Sequence, residues 1–554
     1  MQKNRMSIKQ PLLSAPVACS IAPMLAVVVF CFGGQSATAA MKPDVLMILV
    51  DDLRPMLGCY GDLHVKTPNI DRLAKRGVLF ERAYCQYAKC GTSRLSLMTG
   101  LRPDSIGVFS NRDKDVSIFR KRRPDALSLS KWLGQHGYFT QSFGKIDHDG
   151  WHVDADWSLP PSPGREKEIL EIADPIDPTK PTIIADRLAC PAIQSPDVDD
   201  EHLYAGRMTS QLLASMRQRL QHHAASAQRS VSEGPTDAKA GQPELRSPAF
   251  YAVGFRRPHL PLVAPQRYFD LYQPDESWLA TRAIPADGSP MMAWFNSDGY
   301  VGSARNVGLV LPSPPSNREE AMRWNGYELR SYLGIPNQGP IERSLQLDVL
   351  QAYAACISYV DAQIGRLLDQ LQSTGQLENT IVILCSDHGW HLGEQSAWSK
   401  MTNFEVATRV PLIIAAPNIK PGRSQSLAEL VDVYPTLCDL TGVPSAPHLE
   451  GESLIESLTD PSGIQQRVAT SQHARFAEKY MGRALRTDRF RLVRWSEETA
   501  SGSAGKVVHQ ELYDHSHDSG ETDNVADLPE YADHLAKLEI LFDESFPHRD
   551  TPER

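Results

Sequence analysis

The chain has 554 residues, 41% of them hydrophobic and 22% charged, the ordinary composition of a soluble protein with room for a large core and more than one domain. Its formal net charge of −10 argues against a nucleic-acid binder. If its substrate is an anion, the cations that hold it must be gathered in one cleft.

The N-terminus reads as a processing segment. Lys3, Arg5 and Lys9 form a basic start, Met24 to Phe32 is a short apolar run, and Ala37-Thr38-Ala39 fits a small-residue cleavage site. The expectation is a signal peptide over residues 1–39, a secreted or periplasmic mature chain, and no stable membrane insertion, because no apolar run is long enough to span. Removal of that segment leaves 54 cations against 67 anions, a net −13. Of nine cysteines, seven remain, and an odd number in an exported chain leaves at least one thiol outside any disulfide. Cys90 is the candidate; most of the others sit in apolar stretches as small buried hydrophobes. No disulfide is expected.

In chain order, Asp44 to Val50 is a continuous apolar run of strand length, as in a parallel sheet buried on both faces. It ends in Asp51-Asp52. Two adjacent carboxylates at a strand end are costly without a cation, and hard oxygen donors favour Ca²⁺ or Mg²⁺. A helix N-cap plus a surface Asp is the other reading. Thr67 to Gly77 predicts a helix with Thr67 as cap, Pro68 in the first turn and Gly77 at its end.

The stretch Cys90-Gly91-Thr92-Ser93-Arg94-Leu95-Ser96-Leu97-Met98-Thr99-Gly100 sets a potential nucleophile one helical turn before a cation, at the start of a predicted helix. An isolated C-x-x-x-R reads better as a buried structural Cys beside a surface Arg, and the other segments along the chain raise the functional reading. Leu127 to Gln135 predicts a helix ending at Gly137, and Phe139 to Phe143 a strand, followed by Gly144-Lys145-Ile146-Asp147-His148. Lys145 and His148, three apart after a strand, can face one site. Trp157 to Pro181 reads as a loop or rim, and Gln221 to Ser247 as a mobile surface insertion.

Phe250 to Phe255 is another buried-strand run and leads into Arg256-Arg257-Pro258-His259, a plausible anion site. Residues 267–344 show no clear period; Trp278, Trp294 and Trp324 there either stack on sugars or pack. Ser344 to Leu371 is a long amphipathic helix. Thr380 to Cys385 is a strand ending in Ser386-Asp387-His388-Gly389, and Asp387 and His388 can complete a metal cage with Asp51 and Asp52. Val410 to Ala415 is a strand, and Leu427 to Leu440 reads as a helix interrupted by Pro435. From Arg467 onward short strands take over, at 468–471, 484–487, 490–495 and 511–513, then a terminal helix over 529–542.

Together these segments resemble the type I sulfatases. That family carries C-x-P-S-R, then a short spacer and Thr-Gly; Thr92 stands where it usually has Pro. T-P-N-I-D-x-L-A, G-K-x-x-H, R-R-P-H and the ending E-L-Y-D-x-x-x-D-x-x-E-T-x-N also look like it. Asp387-His388, with Trp390 to Gln395 and Trp398 to Phe404, resembles its iduronate-2-sulfatase branch. The resemblance implies an alkaline-phosphatase-like α/β domain (40–460) with a mainly parallel sheet, and a smaller α+β C-terminal subdomain (461–554). It implies that a formylglycine-generating enzyme oxidises Cys90 to formylglycine, and that one Ca²⁺ sits on Asp51, Asp52, Cys90, Asp387 and His388. It also implies roles. Arg94 and Lys145 hold the hydrated aldehyde that attacks sulfur, and Lys145 and Lys400 hold the sulfate oxygens. His259 donates a proton to the leaving sugar, and His148 takes one to release sulfate. The implied substrate is a sulfated polysaccharide, a uronate 2-sulfate at a chain end. A phosphatase or phosphonate hydrolase of the same fold, and an inactive glycan-binding relative, are the alternatives; the latter would need a broken metal cage, and every candidate ligand is present.

Overall fold

In the computed structural model, residues 42–112, 115–148, 151–162, 183–184, 187–233, 247–306, 308–498 and 504–547 are described. The predicted signal peptide and most of the 157–181 segment lie outside them. Strands and helices are numbered here in chain order. The main sheet contains β1 (Asp44–Val50), β2 (Val78–Tyr84), β3 (Phe139–Gly144), β4 (Ala249–Phe255), β5 (Thr380–Ser386), β6 (Arg409–Ala415) and β7 (Gly422–Glu429). The principal helices are α1 (Pro68–Ala74), α2 (Cys90–Thr99), α3 (Leu129–Gln135), α4 (Tyr204–Glu233), α5 (Ser297–Asn306), α6 (Arg343–Ser373), α7 (Val433–Thr441) and α8 (Ala532–Ser545).

The spatial order is β7-β2-β6-β5-β1-β4-β3. All neighbours pair in parallel except β6, which runs against both β5 and β2. β1 sits near the middle, in register with β5 from Asp44↔Thr380 to Val50↔Ser386. Alternation divides its side chains between two cores. Leu46, Ile48 and Val50 join α4 and α6 on one face, while Val45, Met47 and Leu49 join α2, α3 and α7 on the other. Because six strands share one direction, the segments after β1, β2, β3, β4 and β5 all emerge at one edge. β6 enters from that same edge. This is where ligands bind in open α/β sheets.

A second, antiparallel sheet holds β8 (Ala469–Arg475), β9 (Tyr480–Arg486), β10 (Phe490–Glu498) and β11 (Ala504–Asp514) in that order. Trp495 of β10 packs with Trp294, Trp324 and Phe404, so Trp294 and Trp324 serve packing. No helix among the described residues is long and apolar enough to cross a membrane.

Three local expectations are corrected. Residues up to Glu233 are not a loop but continue α4. The helix is anchored upstream by buried Met208, Leu212, Leu213 and Met216, and once nucleated it propagates through a polar stretch that lacks an apolar stripe. Leu427 to Glu429 belong to β7, paired in parallel with Arg82, Ala83 and Tyr84 of β2. Pro435 lies in the first turn of α7 and interrupts nothing, since its missing N–H has no partner there anyway. α1 ends at Ala74, not Gly77, and Thr67 does not cap it. The Thr67 hydroxyl accepts from Gly58 N–H, and Asp361 takes the first helical N–H groups of Asn69 and Ile70.

Candidate active site

The Asp51 carboxylate leaves the end of β1, and Asp387 and His388 leave the end of the adjacent β5. Ser386 ties the two strand ends together: its hydroxyl donates toward Val50 and His388 carbonyls and accepts from Leu53 N–H. Asp52 adopts a left-handed φ of 60°, which a non-glycine residue rarely holds without a structural reason. Its N–H donates to Asp387 Oδ1 (3.2 Å) and its carbonyl accepts from Tyr353 (2.6 Å).

Cys90 is the first residue of α2 and faces these strand ends. Its thiol donates to Asp51 Oδ1 (3.4 Å) and lies 3.2 Å from His388 Nε2. Gly91 permits the approach: a Cβ there would stand 2.4 Å from Asn111 Oδ1 and 2.7 Å from the Trp151 ring. Thr92, in the position where Pro was expected, donates its hydroxyl to Val108 O (2.9 Å) and is fully buried. Ser93 donates to the Asp387 carbonyl.

Asp51, Cys90, Asp387 and His388 offer ligand atoms that all lie within 4.8 Å of one another. Asp52 falls into an adjoining group with Cys90 and His259, and its carboxylate is 3.4 Å from His388 Nε2. The donor chemistry fits a hard divalent cation: three carboxylates converge in a buried place. The imidazole is also prepared. His388 Nδ1 is 3.0 Å from the Gly389 carbonyl, which can only accept, so the hydrogen sits on Nδ1 and Nε2 turns its lone pair to the cluster.

Three carboxylates buried together would cost several kcal/mol each if unpaired. Three cations offset them. Arg94 reaches Asp387 (Nε–Oδ2 2.8 Å) and Asp51 (Nη2–Oδ1 3.3 Å), Lys145 donates to Asp51, and Lys400 donates to both Asp52 oxygens (2.8 and 3.0 Å). Burial alone would raise the Asp51 pKa, but Lys145 and Arg94 override it and hold it well below the usual range. Asp52 moves the other way: burial and the Asp51 charge push it up against the pull of Lys400. Burial, with Asp51 adding to it, pushes the Cys90 thiol up to about 12. The resting thiol is therefore protonated, and the helix end does not make it a thiolate. Such a concentration of perturbed groups marks function, since packing alone would be cheaper.

Lys400 sits between two strained residues, Ser399 (φ 112°) and Met401 (φ 71°), with its ammonium 5.0 Å from the Trp390 ring centroid. His259 is positioned by the turn after β4. Its Nδ1 is 2.6 Å from the Leu260 carbonyl, so the free end is Nε2; burial and Lys400 hold its pKa well below the ordinary value. Of the Arg256-Arg257-Pro258-His259 segment, Arg257 donates to the His259 carbonyl (2.8 Å) and braces that turn. His148 follows β3, its ring edge-on to Trp151 at 5.2 Å.

Sequence reading missed Glu328. This buried carboxylate lies 3.2 Å from Lys400 Nζ and 3.8 Å from His259 Nε2, and accepts from Ser399. It comes from the aperiodic 267–344 stretch, where no pattern singles it out.

The Sulfatase family profile matches residues 43–189 and 236–443, and the profile described as N-sulphoglucosamine sulphohydrolase, C-terminal, matches residues 393–545. Iduronate 2-sulfatase of Homo sapiens is 31% identical over 533 residues, covering 83% of this chain and 86% of that protein. The Mus musculus enzyme is 30% identical with the same coverage. A sulfatase of Formosa agariphila is 28% identical over 90% of this chain and 86% of that protein. Among solved structures, the phosphonate monoester hydrolase SpPMH from Silicibacter pomeroyi superposes with a TM-score of 0.62 at 23% identity, over 92% of this chain and 96% of that one. BT1596, a 2-O GAG sulfatase, superposes with a TM-score of 0.60 at 21% identity, over 91% and 92%. These two establish the alkaline-phosphatase-like fold. Matched along both halves of its main sheet by the family profile, and about 30% identical to two of its members over most of its length, the chain belongs to the sulfatase family.

Proposed function

We propose that this protein is a formylglycine-dependent sulfuric ester hydrolase acting on a sulfated sugar, with a uronate 2-sulfate at a polysaccharide chain end as its leading substrate. The observation that carries the reading is the convergence of Asp51, Cys90, Asp387 and His388 at the carboxyl edge of the sheet, with Arg94, Lys145 and Lys400 packed against it. The 30–31% identity to iduronate 2-sulfatases supports the sugar, and the basic, apolar start of the chain supports export to the periplasm or beyond. On this reading a formylglycine-generating enzyme acts on Cys90 before the protein functions, and residues 40–460 and 461–554 are its two domains.

Asp51, Asp52, Asp387, His388 and residue 90 would hold one divalent cation, Ca²⁺ by the hardness of the carboxylate donors, which when bound polarises sulfate oxygens as a Lewis acid. The aldehyde made from Cys90 would supply the nucleophile. The chain's own side chains do the rest. Arg94 fixes Asp51 and Asp387. Lys145 and Lys400 present ammonium groups to the sulfate oxygens, where charge must be held as the ester bond breaks. His259 gives a proton from Nε2 to the leaving sugar oxygen. Burial and Lys400 disfavour the protonated imidazole, and the charge of a bound sulfate, offsetting Lys400, makes its protonation easier. His148 accepts the proton that accompanies sulfate release.

The test is sulfate release from defined heparan, chondroitin and algal oligosaccharides, with an aryl phosphate alongside an aryl sulfate. Preferred hydrolysis of terminal 2-sulfated uronates is expected. Exhaustive chelation should abolish turnover and lower the melting temperature, and Ca²⁺ should restore both. Faster turnover of the phosphate ester would move the assignment to a phosphatase, and release only from internal or neutral sugars would remove the uronate.

A further inference from the structure

Next to the charged cluster lies a cavity of about 810 Å³, within the range of sugar-sized ligand sites. It abuts the start of α2. Lys89 precedes Cys90, and Asn111 accepts the Gly91 N–H (3.1 Å); both line the cavity. Opposite them, Gly299 and His473 complete one end of the wall.

Lys89 is the N-cap of α2, a position that favours small oxygen-bearing side chains and disfavours cations, because the helix end is itself positive. Its side chain makes no cap bond, and the residue is 7% exposed. The ammonium donates one hydrogen bond, to the Gly299 carbonyl (3.0 Å), and among the described residues it forms no ion pair. The two acids of the cavity are otherwise engaged. Glu478 pairs with Arg112 (3.2 Å), and Asp298 accepts the Phe476 N–H (2.5 Å). A buried cation with two spare donors and no direct ion pair among the described residues is costly, since the nearby acids act on it only at a distance.

His473, 2% exposed, points the same way. Its Nδ1 lies 2.6 Å from Arg475 Nη1 and 2.8 Å from the Ala474 carbonyl. The guanidinium, the nearer of the two, can only donate, and it also serves the Ala474 carbonyl (3.3 Å), so that carbonyl needs no hydrogen from the ring; Nδ1 accepts and the hydrogen sits on Nε2. Nε2 is buried and has no hydrogen-bond partner among the described residues. The ring is fixed by stacking on Tyr87 (4.6 Å, 25°). Gly299 keeps the two donors close: a Cβ there would be 3.3 Å from His473 Cε1 and 2.9 Å from Met401 Sδ.

We propose that Lys89 and His473 form the subsite for a second anionic group of the sugar, a carboxylate or a second sulfate, and so select substrates carrying two charges. This rests on the sugar-sulfatase reading above, but needs no catalysis to test. Binding of three unreactive probes to the full chain is measured by calorimetry: a methyl uronoside, a methyl glycoside sulfated at a remote hydroxyl, and the neutral glycoside. At least one anionic probe should bind about 10- to 100-fold tighter than the neutral one, the value of a buried hydrogen bond to a charged group, and the probe preferred names the anion. Lys89→Met and His473→Phe should each remove that preference, and His473→Gln, which keeps an N–H donor, should retain part of it. The two positions are independent arms, so misfolding of one variant leaves the other. Equal binding of all three probes, or a preference that survives in the folded Lys89→Met or His473→Phe protein, overturns the proposal. A protein that binds the anionic probe through Lys89 yet releases no sulfate overturns only the catalytic reading.

Discussion

Arg94 and Lys89 flank the same cysteine and both are buried, yet Arg94 meets two carboxylates and Lys89 meets one backbone carbonyl. Around Arg94, the carboxylates of Asp51, Asp52 and Asp387 meet the cations Arg94, Lys145 and Lys400, and strand ends hold those three carboxylates in place. Around Lys89, the wall is assembled from the N-cap of α2, the start of α5 and the strand β8, and the ammonium has no direct ion pair among the described residues. The first region is finished machinery, and the second is complementary to something the protein does not itself contain. On the proposed reading, catalysis of one ester class requires the former, and choice among sugars requires the latter.

Breaking the matched region should have the largest effect. Arg94→Met leaves Asp51 and Asp387 buried without their shared cation, and removing one member of such a network costs about 3–5 kcal/mol. Chemical denaturation should register that loss, with sulfate release falling to background. A variant of wild-type stability and activity would show that Arg94 does not hold the carboxylates.

The matched region is also the one legible from sequence. Asp51, Asp52 and Asp387 each follow an apolar run of strand length, and Lys145 follows the strand read over 139–143, so their placement at a sheet edge follows from pattern. The unmatched region has no such handle. Glu328 reaches Lys400 only through tertiary contact from a segment of short helices, and His473 lies within a strand. Lys89 did carry a signal, a lysine where α2 asks for a cap, but its meaning depends on Gly299, 210 residues away. Local errors have the same origin. Leu427 to Glu429 look helical alone and become β7 because β2 offers a partner, and α4 extends through a polar stretch because it is packed upstream.

A smaller effect is expected where the two regions touch. In Gly91→Ala the new methyl meets Asn111 Oδ1 and the Trp151 ring, so overpacking of about 1–3 kcal/mol should appear in thermal melts. Activity should fall with it, since Asn111 and Trp151 cannot yield without moving the Cys90 turn. An unchanged melting temperature would mean that the wall between cluster cavity and α2 is soft.

A third effect, one of pH, lies away from both. Glu511 accepts from Trp495 Nε1 (2.7 Å) and Tyr513 (2.5 Å), and burial raises its pKa from 4.5 to about 7. The folded state then binds a proton that the unfolded state releases, so this group withdraws stability as pH rises from about 4.5 to about 7, on the order of 3 kcal/mol at most. Glu511→Gln removes that slope, and its stability relative to wild type should climb between pH 5 and pH 7 and then level. Parallel stability curves would show that Glu511 is ionised throughout.

The account as a whole turns on residue 90. Trypsin cuts after Lys89 and after Arg94, which isolates the peptide Cys90–Arg94 from active protein made in its native host. Mass spectrometry of that peptide should find the aldehyde in place of the thiol, in proportion to specific activity across preparations. Full sulfatase activity in a preparation whose Cys90 is entirely unmodified thiol would contradict the proposed chemistry.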